Sequence, residues 1–225
     1  MTAPWVDLLV PVKPLARAKT RLRGAADGGL GDPLRHSRLV VGLVRDTVAA
    51  ARAADGVRRA VIVTSDPEVT SVLGADGVPV LPDRPDHGLN AALAYGAEVL
   101  RAERPAASVA ALQADLPALR AEELAEALAG ARALFEAGAA SRAFCPDAQG
   151  EGTTLLVCPP GVALDPRFGP RSADAHERAG ATRLAGDWPG LRRDVDTPED
   201  LWRAAELGLG AATLAALPDT ARPRC

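Results

Sequence analysis

A three-layer α/β fold with a mostly parallel mixed sheet is what this sequence predicts, on three observations. Short apolar runs with β-branched residues alternate with longer Ala/Leu-rich stretches over most of the 225 residues, the pattern of strands and crossover helices. Helix starts are punctuated. Asp32-Pro33, Asp66-Pro67 and Thr197-Pro198 each place a side-chain oxygen before a proline at the first helical position. Late in the chain, two strand-like pieces flank a Gly-rich turn, which adds an antiparallel pair to the sheet.

The first strand is Trp5 to Val12, an apolar run that contains Asp7, and a basic loop, Lys13 to Gly24, follows it. The first helix starts at Pro33 and runs to about Ala54. Strand two is Ala60 to Thr64, and Asp66-Pro67 opens the next helix. Strand three, Val78 to Leu81, leads into a turn-rich segment, Pro82 to Gly88, and a helix over Leu89 to Glu103. Strand four, Ser108 to Leu112, ends in Gln113-Ala114-Asp115, and a helix covers Glu122 to Ala137. Arg142 to Cys145 and Thr153 to Val157 form the hairpin around Asp147 to Gly152. A short helix at Ser172 to Ala179, a short strand at Leu191 to Asp194 and a last helix complete the series. Thr197 caps that helix, with Asp200 three residues on as in a capping box. Residues 1–217 read as one domain without repeats or linkers, and residues 218–225 as a frayed tail.

Apolar residues make up 48% of the chain and aromatics 3%, so the core is built from Ala, Val and Leu. The net charge is -3 with both signs interspersed, and no basic run with interleaved aromatics points to nucleic acid. No apolar stretch approaches the ~20 residues of a membrane span, and the first residues lack a basic leader region. Cys145, Cys158 and Cys225 fit neither a disulfide framework nor a metal-binding CxxC. A cytoplasmic protein without a membrane partner is therefore expected. Cys145 reads as a small buried apolar residue. His36, His87 and His176 lack metal-ligand spacing and read as surface or local structural residues.

Two features carry chemistry. Lys13, Arg17, Lys19 and Arg21 place four cations in nine residues directly after the first strand. In open α/β sheets ligands sit beyond the carboxyl ends of strands, and Lys and Arg there suit a triphosphate. The P-loop pattern GxxxxGK[ST] is absent. Asp115 stands at the carboxyl end of strand four, and Asp194-Val195-Asp196 comes later. In an extended DxD both carboxylates point to one side. With a third from another strand they make a hard oxygen site for Mg²⁺, which would bridge phosphate oxygens. Gly150 to Thr154 and Phe168 to Ser172 add hydroxyls and bare backbone N–H groups suited to a small anionic acid.

These stretches together resemble the 2-phospho-L-lactate / phosphoenolpyruvate guanylyltransferase family of coenzyme F-420 biosynthesis. The residues that carry the resemblance are Val10 to Leu22, Gln113 to Pro117, Gly152-Thr153-Thr154, Phe168-Gly169 with Ser172, and Asp194 to Leu201. The likeness spans residues 5 to 205. It implies a Rossmann-related, glycosyltransferase-A-like nucleotidyltransferase fold, GTP as donor and Mg²⁺ as cofactor. Asp115, Asp194 and Asp196 would hold the metal. Lys13, Lys19 and Arg21 would stabilise the leaving pyrophosphate, with Arg17 also at the nucleotide. The acid would contact Gly169, Ser172 and a Thr of the Thr153-Thr154 pair, Thr154 being favoured. Asp86 to Asn90, with Gly88, matches the position where such enzymes approach the nucleoside. The basic loop has no Gly before Gly24, unlike the Gly-rich loop of sugar-nucleotide enzymes. The GC-rich type of composition, taken with the resemblance, favours phosphoenolpyruvate over 2-phospho-L-lactate. Direct hand-off to a downstream transferase would suit an unstable product. The competing readings are a nucleotidyltransferase for a sugar phosphate or molybdopterin, a glycosyltransferase, and a non-catalytic nucleotide-binding regulator.

Overall fold

The structure, a computed structural model, describes residues 5–85 and 87–218. Its strands are β1 (Val6–Pro11), β2 (Val57–Thr64), β3 (Val80–Pro82), β4 (Ser108–Leu112), β5 (Ala143–Pro146), β6 (Thr153–Cys158) and β7 (Thr182–Arg183). They form one sheet in the order β3-β2-β1-β4-β6-β5-β7. β1 pairs parallel with β2 and β4, and β2 with β3. β6 is antiparallel to β4 and β5, and β7 is parallel to β5. The expected mixed, mostly parallel sheet is therefore present, with β6 the reversed strand.

The helices are α1 (Pro33–Ala53), α2 (Pro67–Ala75), α3 (Leu89–Glu103), α4 (Ala121–Glu136), α5 (Ser172–Arg178), α6 (Pro189–Arg192), α7 (Pro198–Leu207) and α8 (Ala211–Ala216). The chain starts centrally at β1, steps outward to β3, and returns through α3 to β4 on β1's other side. The order reverses between β1 and β4, which places a crevice beyond their carboxyl ends.

Alternation along the strands builds two apolar layers. Leu8 and Val10 of β1, Ile62 of β2 and Leu112 of β4 pack with Val40 and Val44 of α1 and Leu124 and Leu128 of α4. Leu9, Val61, Val63 and Ala111 face the other way, against Leu93, Ala97 and Leu100 of α3. Asp7, buried on β1, is paired with Arg58 and lies 3.5 Å from Arg59 Nε, so its charge is compensated inside the sheet.

The strand expected at Leu191 to Asp194 does not form; residues 189–192 make the single turn α6. Pro189 starts that turn, and the Glu123 carboxylate accepts from Gly190 N and Leu191 N at 3.1 and 2.8 Å. A carboxylate on two free N–H groups favours a helix start over an extended segment. The helix after Thr197 is not the last. α8 follows and packs on α1, with Asp46 Oδ1 and Oδ2 accepting from Ala212 N and Thr213 N at 3.0 and 2.7 Å. Gly42 permits this approach, since a Cβ there would stand 2.9 Å from the Ala212 carbonyl oxygen. β7 has no counterpart in the sequence reading. Asp86, Cys225 and all of the expected tail but Pro218 lie outside the described residues.

Candidate active site

Three loops meet beyond β1 and β4. The first is the basic loop after β1. Leu15 N donates to Asp66 Oδ2 at 2.8 Å, and His36 Nε2 donates to the Ala18 carbonyl at 3.0 Å. With Leu15 and Ala18 buried, the loop is fixed against α1 and α2. Lys19 adopts a left-handed backbone, φ 49°, uncommon for a residue with a side chain and frequent at functional sites. Lys13, Arg17 and Arg21 are exposed along the rim.

The second loop carries Asp115. The Thr47 hydroxyl on α1 accepts from Leu116 N at 2.9 Å and donates to Leu43 O at 2.8 Å, so the turn after β4 is tied to α1. The third loop carries Asp194 and Asp196. Val195 is fully buried and its N–H donates to Asp115 O at 3.0 Å. A capping box follows: Asp200 N donates to Thr197 Oγ1 at 3.2 Å, and Thr197 N to Asp200 Oδ2 at 2.9 Å. Val195 points into the core and both carboxylates point into the cleft. That is the arrangement expected of the DxD, although no strand presents it.

The Lys19 ammonium bridges Asp115 Oδ2 and Asp196 Oδ1, the latter at 2.6 Å, and Arg21 Nη2 lies 2.7 Å from Asp196 Oδ2. Burial opposes the Lys19 charge, yet Asp115 and Asp196 together hold its pKa above the ordinary lysine value. Burial, then the Asp115 charge, pushes the Asp194 carboxyl up to about 7. Asp196 is held below the usual carboxylate range because Lys19 outweighs its own partial burial. Asp115 Oδ1 is buried without a hydrogen-bond partner among the described residues. Three hard oxygen donors with a spare buried oxygen and surplus negative charge suit a divalent cation. Among the described residues they do not stand as a ready-made ligand set, and the Lys19 ammonium lies between two of them.

The cleft has a volume of about 690 Å³ and continues past these groups to Gly152, Thr153, Phe168, Gly169 and Ser172. Gly169 has φ 143°, a conformation open to glycine and strained for other residues. Thr153 and Thr154 both sit opposite Pro146 in a bulge: Cys145 pairs with Leu155, and Pro146 with Thr153. Thr153 lines the cleft, whereas the Thr154 hydroxyl is turned toward the Cys145 carbonyl at 3.5 Å. Gly88 and Asn90 do not line it. The Asn90 amide donates to Phe168 O at 2.9 Å and accepts from Phe168 N at 2.8 Å, so Asn90 holds the loop that carries Phe168 and Gly169.

One residue of the cleft wall and one buried behind it were not singled out by the sequence as part of the site. Asp147 accepts from Glu151 N and Gly152 N at 2.9 and 2.8 Å and shapes the β5–β6 turn at the cleft wall. Its signal was the Asp before a Gly-rich turn. His176 is buried, 1% exposed, the structural and not the surface alternative of the two expected, and bonds Thr153 Oγ1 at 2.9 Å. No spacing rule marked it. Both cysteines among the described residues, Cys145 and Cys158, are buried and unpaired, and burial pushes the Cys145 thiol up to about 11.

Known proteins resemble this chain in sequence or fold to differing degrees. A phosphoenolpyruvate guanylyltransferase of Salinispora arenicola is 51% identical over 223 residues, 99% of this chain and 97% of the relative. One from Streptomyces coelicolor is 49% identical over 209 residues, 92% and 93% of the two chains. Among solved structures, a nucleotidyl transferase from Methanothermobacter matches at a TM-score of 0.54 and 17% identity, covering 89% of this chain and 96% of that one. A manganese complex of a Mycobacterium tuberculosis protein matches at 0.51 and 20% identity, covering 91% and 100%. These distant neighbours establish the nucleotidyltransferase type of fold. No helix among the described residues is long and apolar enough to cross a membrane. Residues 41–187 match the MobA-like NTP transferase domain, and with half its residues shared along nearly its whole length, the chain belongs to the phosphoenolpyruvate guanylyltransferase family.

Proposed function

We propose that this protein transfers GMP from GTP to phosphoenolpyruvate and releases pyrophosphate, a step in coenzyme F-420 biosynthesis. The observation that carries the reading is the meeting of Asp115, Asp194 and Asp196 around the Lys19 ammonium, beside a cationic rim, in a chain of this family. Asp115, Asp194 and Asp196 would hold Mg²⁺, which when bound supplies charge neutralisation at the α-phosphate and the attacking oxygen. Lys13, Arg17 and Arg21 line the cleft where they would bind the triphosphate. Lys19, released from its carboxylates, joins them and stabilises the departing pyrophosphate.

A phosphate oxygen of the acid attacks the α-phosphorus, and the bond to the pyrophosphate oxygen breaks. The second phosphate pKa of a phosphomonoester is ~6, so the nucleophile is anionic at neutral pH and needs no protein base. That agrees with a cleft lined by no histidine among the described residues. The protein's part is positioning and charge compensation. With GTP as its donor, the proposed reaction belongs in the cytoplasm.

Pyrophosphate release from each of the four NTPs, against phosphoenolpyruvate, 2-phospho-L-lactate and sugar phosphates, tests the reading. Release with GTP and phosphoenolpyruvate is expected. Activity confined to CTP or to a sugar phosphate would overturn it.

A further inference from the structure

His176 is a buried imidazole that the transfer chemistry does not use. Arg167 N donates to its Nε2 at 2.9 Å. A backbone N–H can only donate, so Nε2 is the acceptor, and in the neutral ring the proton must sit on Nδ1. Nδ1 lies 2.9 Å from Thr153 Oγ1 and also faces the Ser172 backbone, so the ring proton is shared between them and the hydroxyl accepts from it. The hydroxyl's own hydrogen is then left over. Thr153 Oγ1 has no other hydrogen bond among the described residues, and Thr153 lines the cleft beside Gly169 and Ser172.

Two further features fix this orientation. Strict alternation would put Thr153 on the face of Leu155 and Val157, against α1 and α4. The extra residue in β6 breaks that alternation, and bulges re-aim side chains in this way. The ring itself is held by Phe168, edge-on at 5.2 Å, and by Phe144 at 5.9 Å. Burial lowers its pKa to about 4, so the ring is neutral at neutral pH.

We infer that His176 is a positioning residue for the acceptor acid: as its Nδ1–H tautomer it turns the Thr153 hydroxyl into the cleft as a hydrogen-bond donor to the acid's anionic groups. This rests on the guanylyltransferase reading and adds to it a residue that positions the acid through Thr153. A satisfied core histidine would affect stability alone; a positioning residue affects one substrate.

Steady-state kinetics with GTP and phosphoenolpyruvate varied separately test it. His176→Leu should raise KM for phosphoenolpyruvate ~10- to 100-fold, the weight of one hydrogen bond to a charged group, with KM for GTP and kcat within about threefold. Thr153→Val should do the same, and the double variant should go no further. His176→Asn, whose amide nitrogen stands near the Nδ1 position, should recover most of the acid KM. An unchanged acid KM in His176→Leu, equal changes in both KM values, or additive effects in the double variant overturns the inference. If His176→Leu does not fold, Thr153→Val against His176→Asn decides it by the same criteria. Wild-type failure to turn over either acid sinks the guanylyltransferase reading and this inference with it. Wild-type turnover without an acid-specific change in the variants sinks this inference alone.

Discussion

Replacing Lys19 with Met keeps the stem and removes the ammonium that joins Asp115 to Asp196. The side chains of Lys19 and Asp115 are 18% and 11% exposed. Removing one partner of a buried pair costs about 3–5 kcal/mol. Asp196 is 42% exposed, and an exposed pair contributes at most ~1 kcal/mol. The cleft is open to water, so a loss of about 2–3 kcal/mol is expected for Lys19→Met in EDTA, a fall in Tm of roughly 5–10 °C for a domain of this size. Divalent cation should reverse it. At 100 times its Kd a ligand adds about 2.7 kcal/mol, and in Lys19→Met no ammonium competes for the carboxylates. The variant should therefore show a larger Mg²⁺-induced rise in Tm than the wild type. Melting curves in EDTA and in a Mg²⁺ series suffice. Equal Tm values in EDTA and equal Mg²⁺ shifts would refute the idea that Lys19 stands in for the cation.

Asp194→Asn removes a carboxylate that burial and Asp115 disfavour. It should raise the metal-free Tm by a few degrees while lowering turnover with Mg²⁺ by ~100-fold or more, both read on one preparation. His176 has a folded pKa of about 4 against an ordinary 6.5, so below 6.5 the unfolded chain takes up a proton that the folded one refuses. Stability should fall as pH drops from about 6.5 to about 4, by on the order of 2 kcal/mol after solvent screening, and this component should vanish in His176→Asn on denaturant titration. Asp46→Ala strips the cap from α8 and should cost ~1 kcal/mol, a Tm drop of roughly 2–4 °C, with KM and kcat unchanged.

Much of this fold is legible because its signals are local. Asp32, Asp66 and Thr197 cap the helices that Pro33, Pro67 and Pro198 begin. The runs at Ser108–Leu112 and Leu89–Glu103 appear with the bounds expected. What the sequence hid depends on distant partners. α6 replaces the expected strand because Glu123, 67 residues away from Gly190, caps it, and α8 is held by Asp46, 166 residues from Ala212. The site divides in the same way. The acidic and basic residues of the cleft could be named from type and strand-end position. The Lys19 bridge, the different orientations of Thr153 and Thr154, and the His176–Thr153 bond could not, since they depend on contacts between segments distant in the chain. Asn90 shows the same limit: its position suggested a nucleoside contact, and no local signal foretold its pair of hydrogen bonds to Phe168, 78 residues away.

Incubation with GTP, Mg²⁺ and phosphoenolpyruvate, followed by mass detection, bears most directly on the proposed chemistry. One guanosine diphospho-acid should appear for each pyrophosphate released, with neither formed in EDTA or by Asp115→Ala. A nucleoside diphosphate as the leaving product, or adduct formed equally well without divalent cation, would contradict transfer of GMP by three carboxylates and a cationic loop.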